Sequence, residues 1–379
     1  MPKLLMWSPF RGNIGTVAAV KNYAKIYSEL GYDVVFIELC DEWSTVEAIS
    51  KSYRIVSLTR FKVFKNIGKT NFLRRRDYFI YQFFRLRKLS KIFDEEQPDL
   101  IISFLGIAPA VIANYFQNAK HFGSIQGFPR FLNRQAPSNL YYKLEDQVRK
   151  CVWKLTYNRL DKILCMTPKT ARELGSFLNK DTAFIPNPLF LENNNLSARF
   201  DSSKTFDFIF IGRNSYQKRV DIILSNFSKI LAYRPESRLH FFGDIVSSDL
   251  ILEFPDYEAI IREKCVFYEY SETFWSNVLE ELNPVHLVAS QWEDPGHAIL
   301  EGLWYRVPTL FLNSEGDYTN FYLQYGAVLH GDLKWDNEIL KNVICRAADE
   351  KLRLHLKDEV ASQFTVQNVK LKLGELYYV

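Results

Sequence analysis

Short, nearly uninterrupted apolar runs alternate along the chain with longer segments in which apolar residues recur every three or four positions. The short runs predict strands buried on both faces, and the longer segments predict the helices that cover them. In the first half of the chain the predicted strands are residues 3–9, 33–39, 99–104, 121–126, 162–167 and 183–187. Residues 16–31 predict a helix that ends at Gly31, a residue type common at the carboxyl ends of helices. Strands separated by helices in this way indicate a parallel α/β sheet.

A second series of strands and helices follows a polar stretch, residues 186–205, which lacks periodicity and is typical of a linker. The predicted strands of this series are residues 206–212, 238–243, 285–290, 309–313 and 327–330. We therefore predict two facing Rossmann-like, doubly wound domains, residues 1–190 and 200–360, with residues 365–379 packing back on the first. Ligands of such domains bind beyond the carboxyl ends of the strands, so a cleft between the domains is the expected place for a site.

The composition is that of a folded globular protein, since 47% of the 379 residues are apolar and 24% are charged. Five scattered cysteines without a CxxC pair indicate reduced thiols and neither a disulfide nor a zinc framework. The most apolar run, residues 100–116, contains Gly106 and Pro109, which favours a buried strand and a helix over a membrane span. Residues 1–7 are too short for a secretory signal, and we expect a cytoplasmic protein.

Charge is distributed unevenly along the chain. Residues 1–190 contain 29 Lys/Arg and 16 Asp/Glu, whereas the remaining residues contain 19 and 28. The formal net charge of +4 conceals this difference. Halves of opposite charge meet different surroundings, which supports the division into two domains.

The first candidate for chemistry is residues 211–221, IGRNSYQKRVD, at the end of a predicted strand. Gly212 closes the strand, Arg213 follows at once, and Lys218 stands at the start of the next predicted helix. Cations beside the carboxyl end of a parallel strand suit a polyphosphate, arginine as a fork of donors and lysine as a point charge. A solvated basic loop is the alternative.

The second candidate is residues 291–308, QWEDPGHAILEGLWYRVP, which follow another predicted strand. Residues 294–296, Asp-Pro-Gly, predict a helix start with proline in the first helical turn. The amides of Gly296, His297 and Ala298 then have no partner within the helix and are available to an anion.

Two glutamates, eight residues apart, flank this helix start. Glu301 lies one turn past His297 in an otherwise apolar stretch, where a carboxylate is costly unless something binds it. It is placed to accept both ribose hydroxyls of a nucleotide whose phosphates meet the helix end. Glu293, in the preceding loop, is placed to bind hydroxyls of an attached sugar. In the alternative interpretation Glu293 is solvated and Asp294 only caps the helix.

Together these stretches resemble the retaining glycosyltransferases with a GT-B fold, notably family 4. Residues 212–221 are similar to the G-R-x(n)-K-G-x-D segment of that family. Residues 293–308 are similar to its E-x7-E signature, usually close to E-G-F-G-x-x-x-x-E-A-x-A-x-G-x-P. Residues 8–39, 159–178 and 184–189 are similar to its N-terminal glycine loop, helix and strand, its Asp-containing strand, and its I-P-N-G hinge. The resemblance covers nearly the whole chain, with the motifs in the family's order.

The resemblance implies transfer of a sugar from a nucleotide-sugar to an acceptor hydroxyl, with the anomeric configuration retained and no metal required. By this likeness Arg213 and Lys218 neutralise the departing diphosphate, because preorganised positive groups stabilise the charge that builds up on it. Glu293 holds the donor sugar, Glu301 holds the ribose, and the amides after Gly296 hold the phosphates. The sequence contains no D-x-D motif, and its histidines are not spaced like metal ligands, so nothing in it suggests a metal site.

The chain departs from the family pattern at several positions. Gln126 stands where the family often has a histidine, so this side chain can hydrogen-bond a sugar hydroxyl but cannot titrate. Arg219 and Arg306 replace glycines, and the double glycine of the N-terminal loop is reduced to Gly12 and Gly15. We keep Gly12, Gly15 and Gln126 as candidates for binding substrate.

Residues 60–93 form a basic, aromatic stretch with eleven Lys/Arg and a single acidic residue, Asp77. Cations interleaved with aromatic rings suit an anionic bilayer surface. A helix that packs its aromatic residues on the sheet and exposes a basic face is the alternative. Nucleic acid is a poorer partner, because no recognised nucleic-acid motif accompanies the charge.

The sequence therefore predicts a hexosyltransferase, peripheral at the inner face of the cell membrane. Its donor is a UDP- or GDP-linked sugar, its acceptor is a hydroxyl of a lipid-linked glycan in surface polysaccharide or O-antigen synthesis, and it uses no cofactor. A sugar-nucleotide epimerase of the same fold and a non-catalytic sugar-nucleotide or membrane-binding module are the alternatives. A glycosyltransferase yields a glycosylated lipid, an epimerase yields an isomeric nucleotide-sugar, and a binding module yields neither.

Overall fold

The computed structural model describes residues 1–9, 15–39, 42–58, 85–116, 119–127, 129–132, 140–189, 197–198, 200–201, 204–269, 274–290, 296–312, 328–330 and 337–377. The chain divides into two compact units. Unit 1 is Met1–Pro188 together with Val366–Val379, and unit 2 is Leu189–Thr365. The C-terminal segment of the chain thus belongs to the unit that is made first.

Unit 1 is built on a seven-stranded sheet in which all neighbouring strands are parallel. The strands are β1 (Lys3–Trp7), β2 (Asp33–Glu38), β3 (Arg54–Ser57), β4 (Leu100–Ser103), β5 (Lys120–Ile125), β6 (Lys162–Cys165) and β7 (Ala183–Phe184). Their order across the sheet is β3-β2-β1-β4-β5-β6-β7. The sequence pattern did not predict β3, and β7 is shorter than the predicted strand at residues 183–187.

Helices connect these strands in doubly wound fashion. They are α1 (Gly15–Glu29), α2 (Glu47–Ser50), α3 (Leu86–Glu96), α4 (Ile107–Ala113), α5 (Leu140–Tyr157) and α6 (Pro168–Leu178), with short 3-10 turns at Asn114–Phe116 and Arg130–Leu132. Local chemistry sets the bounds of α6. The Thr167 hydroxyl accepts a hydrogen bond from the Thr170 amide at 3.1 Å, Pro168 occupies the first turn, and Asn179 ends the helix at φ 50°.

Both faces of this sheet are covered, which explains why its strands read as continuous apolar runs. Successive residues of β1 face opposite sides: Leu4 and Met6 pack towards α1, whereas Leu5 and Trp7 pack towards α3 and α4. α3 buries Leu89, Ile92 and Phe93 in the second of these cores.

Only residues 85–93 of the basic stretch at 60–93 are described. In that part α3 packs its apolar residues on the sheet, as the alternative interpretation expected. The aromatic residues that motivated the bilayer interpretation, from Phe61 to Phe84, lie outside the described residues.

Unit 2 is built on a six-stranded sheet that is also parallel throughout. The strands are β8 (Asp207–Ile211), β9 (Arg238–Phe242), β10 (Cys265–Tyr268), β11 (Pro284–Val288), β12 (Thr309–Leu312) and β13 (Val328–His330). Their order across the sheet is β10-β9-β8-β11-β12-β13. β10 was not predicted from the sequence.

The helices of unit 2 cover both faces of its sheet. They are α7 (Val220–Leu231), α8 (Ser247–Glu253), α9 (Glu258–Lys264), α10 (Phe274–Glu281), α11 (His297–Trp304), α12 (Asn337–Ala347) and α13 (Glu350–Phe364), with a 3-10 turn at Pro255–Tyr257. α7 and α12 pack on one face of the sheet, and α10, α11 and α13 pack on the other. The described residues confirm the predicted class, two doubly wound parallel α/β sheets.

The last helix, α14 (Val366–Tyr377), packs in unit 1. Val369 and Leu373 are fully buried there beside Tyr23 and Tyr27 of α1, and Lys370 pairs with Glu29 at 3.2 Å. In the part of the chain that is described, no helix has the length and apolar character needed to cross a membrane.

Candidate functional site

The strand order of unit 2 places a switch in connection direction between β8 and β11. From β8 the chain moves outward through β9 to β10, then returns to the other side of β8 and continues through β11 to β13. Ligands of doubly wound sheets bind beyond the carboxyl ends of the strands at such a switch point. The loops that follow β8 and β11 contain the two stretches that the sequence singles out.

The backbone at the end of β8 packs closely against the end of β9. The Gly212 amide donates a hydrogen bond to the Phe242 carbonyl oxygen at 2.9 Å. Gly243 has a φ of +132°, and a Cβ atom on it would overlap the Gly212 carbonyl oxygen. Sequence reasoning singled out Gly212 but missed Gly243, although each is the last residue of a predicted strand. The ends of β8 and β9 therefore expose backbone without side chains beside the switch point.

Gly243→Ala is expected to lower the free energy of unfolding by about 1–3 kcal/mol. The new methyl group must displace the Gly212 backbone while residue 243 keeps a positive φ. Urea unfolding followed by circular dichroism measures the change. Gly127→Ala is the matched control, because its Cβ meets nothing within 4 Å. Equal losses in the two variants would contradict the close approach of Gly243 and Gly212.

The two predicted cations after β8 differ in their surroundings. Arg213 is exposed, and no carboxylate of the described residues pairs with it. Lys218 is half-buried, and its backbone amide donates to the Ser215 carbonyl oxygen at 2.8 Å. The Lys218 side chain runs along the backbone of Gly212, since a Cβ there would lie 3.4 Å from Lys218 Cε. The loop therefore brings Gly212 and Lys218 together, while Arg213 faces solvent.

The two arginines that replace family glycines both have left-handed backbone conformations. Arg219 has a φ of 52° and Arg306 has a φ of 59°. Glycine adopts such angles without strain, which accounts for the glycines of the resembled signatures. Arg219 offsets the cost by pairing with Asp221 at 3.0 Å in the first turn of α7, and Arg306 donates to the Ser197 hydroxyl at 2.7 Å. At both positions the backbone therefore has a conformation that glycine would adopt without strain.

The helix after β11 begins one residue later than the sequence predicts. Gly296 is the N-cap, extended at φ −65° and ψ 133°, and α11 starts at His297. Asp294 and Pro295, which the prediction places at the helix start, lie outside the described residues. The Ile299 and Leu300 amides donate to the Gly296 carbonyl oxygen at 2.9 and 3.1 Å, so the preceding amides of His297 and Ala298 have no acceptor within the helix. Among the described residues, no side chain caps this helix end.

Glu301 lies one turn into α11 and is engaged by a tryptophan. The indole Nε1 of Trp275, on α10, donates a hydrogen bond to Glu301 Oε2 at 2.9 Å. Burial raises the pKa of Glu301 to about 7, and the Trp275 hydrogen bond partly opposes this rise. Such a carboxyl group changes charge near neutral pH, as binding groups in clefts often do. Sequence reasoning missed Trp275, which lies 26 positions away and carries no local signal.

His286, in the middle of β11, links the two candidate stretches. It is 2% exposed, and its Nδ1 has no hydrogen-bond partner among the described residues. A Cβ atom on Gly302 would lie 3.3 Å from both His286 Nδ1 and the Trp275 ring. Burial, and to a smaller extent the positive charge of Lys218, lower the pKa of His286 to about 3. A neutral histidine therefore packs against the helix that carries Glu301 and is close enough to Lys218 to feel its charge.

His297 is the other histidine of the region. Its Nε2 is buried and has no partner among the described residues, and burial lowers its pKa to about 4. His286 and His297 are both neutral at physiological pH, so neither is a strong proton acceptor.

The remaining predicted site residues lie elsewhere. Glu293 and Gly12 are outside the described residues, and Gly15 begins α1. Gln126 follows β5 in unit 1, where its amide donates to the Ser124 hydroxyl at 2.7 Å and accepts from Asn187 at 3.0 Å. Within the described ranges, no three His, Cys, Asp or Glu side chains are grouped so that they could hold a metal ion.

No protein-family model matches the chain, and no curated protein sequence does. Solved structures match it over the full length. WaaB, described as a lipopolysaccharide outer core galactosyltransferase, is 14% identical with a TM-score of 0.64, and the match covers 99% of both chains. HepE of Anabaena, solved with UDP and glucose, is 12% identical with a TM-score of 0.71 over 100% of both chains. A TarM variant of S. aureus, solved with fondaparinux, α-GlcNAc-glycerol and UDP, is 10% identical with a TM-score of 0.71 over 100% of both chains.

At this level of identity the matches establish the fold. The chain has the GT-B fold of these solved proteins, which confirms the fold class predicted from the sequence.

Proposed function

We propose that this protein is a glycosyltransferase that binds a nucleotide-sugar beyond the carboxyl edge of the unit 2 sheet. The observation that carries the proposal is the gathering of Lys218 and the Glu301 helix around His286 at the switch point. Two solved proteins of the same fold, HepE and TarM, were crystallised with UDP, which supports a nucleotide diphosphate as the ligand class. The donor is a UDP- or GDP-linked sugar.

The donor binds by charge and by hydroxyl recognition. Lys218 and Arg213 neutralise the diphosphate, and the free amides of His297 and Ala298 donate to its oxygens. Glu301 accepts the ribose hydroxyls through its Oε1, because Trp275 already donates to Oε2. Glu293 binds the sugar, a role that rests on its position in the sequence signature.

The reaction breaks the bond between the anomeric carbon and the diphosphate oxygen, and it joins that carbon to the acceptor oxygen. The acceptor hydroxyl loses its proton to an oxygen of the departing phosphate. Burial lowers the pKa values of His286 and His297 to about 3 and about 4, so neither histidine competes strongly for this proton. Lys218 lowers the barrier by stabilising the negative charge that develops on the diphosphate.

The finer features of the proposal come from the resemblance of residues 293–308 to the family 4 signature. On that basis the enzyme retains the anomeric configuration and requires no metal. The acceptor is a hydroxyl of a lipid-linked glycan in surface polysaccharide synthesis, and the protein works as a peripheral protein at the inner face of the membrane. WaaB, which shares the fold, is described as acting on the lipopolysaccharide outer core.

Incubation with a panel of nucleotide-sugars and a lipid extract tests the proposal. A glycosylated lipid whose new anomeric proton shows the donor's configuration by NMR, formed equally with and without EDTA, supports it. An isomerised nucleotide-sugar identifies an epimerase instead. Nucleotide binding without any product identifies a binding module.

Trp275→Phe is expected to shift the pH profile of nucleotide affinity. The wild-type affinity for UDP should rise from pH 6 to pH 8, because the Glu301 carboxyl, with a pKa of about 7, must be ionised to accept both ribose hydroxyls. Removing the indole N–H takes away the hydrogen bond that stabilises the ionised form, so the pKa of Glu301 rises and the midpoint moves to higher pH. Calorimetric titration across the pH range measures the shift.

Trp304→Phe is the matched control for this substitution. Trp304 is buried in the same unit, and its Nε1 has no partner among the described residues, so the change removes a similar volume without breaking a hydrogen bond. Its profile should keep the wild-type midpoint. Equal midpoints in all three proteins would contradict the role of Trp275 in positioning Glu301.

A further inference from the structure

Helix α5 of unit 1 carries an exposed apolar stripe that nothing in the proposed catalytic scheme uses. Leu144, Val148 and Leu155 are 61%, 63% and 73% exposed, and the exposed thiol of Cys151 lies between them. Their spacing of four, three and four residues places all four side chains on one face of the helix. Single exposed apolar residues are common on proteins, whereas a stripe three turns long marks a surface that contacts another apolar phase.

Lysines run along one flank of this α5 stripe. Lys143, Lys150 and Lys154 follow each other at spacings of seven and four residues, one helical face away from the apolar residues. The Lys154 ammonium lies over the Phe177 ring, 5.0 Å from its centroid. No acidic side chain among the described residues pairs with Lys143 or Lys150. On the other flank, Arg149 pairs with Glu145 at 2.7 Å and neutralises it.

We propose that the α5 stripe docks unit 1 on an anionic lipid bilayer. The helix lies in the plane of the interface, with Leu144, Val148, Cys151 and Leu155 at the boundary of the acyl chains and with Lys143 and Lys150 on lipid phosphates. A basic flank beside an apolar stripe is the arrangement by which amphipathic helices bind such surfaces. This proposal rests on the proposed function in one respect, the lipid-linked acceptor. It adds to that function the surface of unit 1 that contacts the lipid.

Charge favours the bilayer over a second copy of the chain. Two copies that packed their α5 stripes together would bring the lysine flanks close to each other, whereas anionic headgroups complement them. The apolar stripe from Leu144 to Leu155 is about 16 Å long, at 1.5 Å per residue. An apolar stretch of this length is too short to cross a bilayer, so the helix lies on its surface.

Co-sedimentation with vesicles of phosphatidylglycerol and phosphatidylcholine tests the docking surface. Lys143→Ser with Lys150→Ser should weaken binding about 30-fold, since each lysine near an anionic surface contributes about a fivefold increase in affinity. Leu144→Ser, Val148→Ser and Leu155→Ser together should weaken binding about tenfold or more. The control variant is Leu252→Ser with Leu371→Ser, which makes the same type of substitution at exposed leucines outside α5. It should bind vesicles as the wild type does.

Cys151 provides a second measurement on the unaltered stripe. With Cys40→Ser and Cys345→Ser as background, an environment-sensitive fluorophore on Cys151 should brighten and shift to the blue when anionic vesicles are added. Cys165 is buried, and burial raises the pKa of the Cys265 thiol to about 12, so neither competes for the label.

Several outcomes overturn the proposal. Equal vesicle binding by the stripe, lysine and control variants excludes α5 as the docking surface. A concentration-dependent dimer that the stripe variant abolishes assigns the surface to a second copy. A fluorophore that is already blue-shifted without vesicles shows that the molecule covers its own stripe. UDP affinity, measured on the same variants, should stay unchanged, and its absence in the wild type would refute the proposed function without bearing on the bilayer surface.

Discussion

Lys218→Ala is expected to lower the turnover number about 10²–10³-fold, equivalent to about 2.7–4 kcal/mol of transition-state stabilisation. Lys218 is held half-buried against the Gly212 backbone, so its charge is fixed in place before the diphosphate begins to leave. An interaction that strengthens as the charge develops raises the turnover number more than it tightens donor binding. Steady-state kinetics with the preferred donor should therefore show a large loss of kcat and a small change of KM.

Lys229→Ala is the matched control for this prediction. Lys229 is exposed on α7 of the same unit, and its replacement should leave both constants within twofold of the wild type. A Lys218 variant that lost affinity for the donor while keeping the wild-type kcat would show that the lysine binds donor and transition state equally. In that case Lys218 would not be the group that stabilises the departing diphosphate.

Glu301→Ala is expected to weaken binding of UDP by about 1.5–3 kcal/mol, or ~10–150-fold, the usual loss for hydrogen bonds to a charged group. In the proposed site the ribose is bound through a carboxylate held by Trp275, and alanine leaves the hydroxyls without their acceptor. Calorimetric titration at pH 8, where the carboxyl is ionised, measures the loss. Circular dichroism confirms that the fold is intact.

A 2′-deoxy nucleotide tests whether Glu301 acts on the ribose itself. The wild type should discriminate against 2′-deoxy-UDP, because the ligand then lacks one of the two donors to Glu301. The Glu301→Ala variant should bind UDP and 2′-deoxy-UDP equally. Undiminished discrimination in the variant would place the ribose contact on another residue.

The strands that were predicted from the sequence are those with both faces covered. β1, β2, β8 and β9 send successive apolar residues into opposite cores, and this produces the uninterrupted runs that the pattern detects. The edge strands β7 and β13 were predicted, whereas β3 and β10, at the opposite edges of the two sheets, were not. Their residues are mostly half-buried, so their sequences, RIVS and CVFY, are short and unremarkable.

The candidate site was predictable in its backbone and less so in its side-chain contacts. Gly212 and the start of α11 follow from motif spacing, because a strand end and a helix start have local sequence signals. The Trp275 hydrogen bond to Glu301 has no such signal, since the two residues come from different helices. The sequence does not single out His286 either. Its contact with Gly302 and its closeness to Lys218 depend on the packing of β11 against its neighbours.

The position of α14 has a consequence for how the protein is made. The ribosome synthesises residues 366–377 only after all of unit 2, yet Val369 and Leu373 complete the apolar core of unit 1. The first unit to emerge therefore keeps an open apolar face for the time that residues 189–365 take to be translated, and it is exposed to chaperones and proteases during that time. Final closure of unit 1 waits until residues 366–377 have been made, so the two units cannot mature strictly in the order in which they are translated.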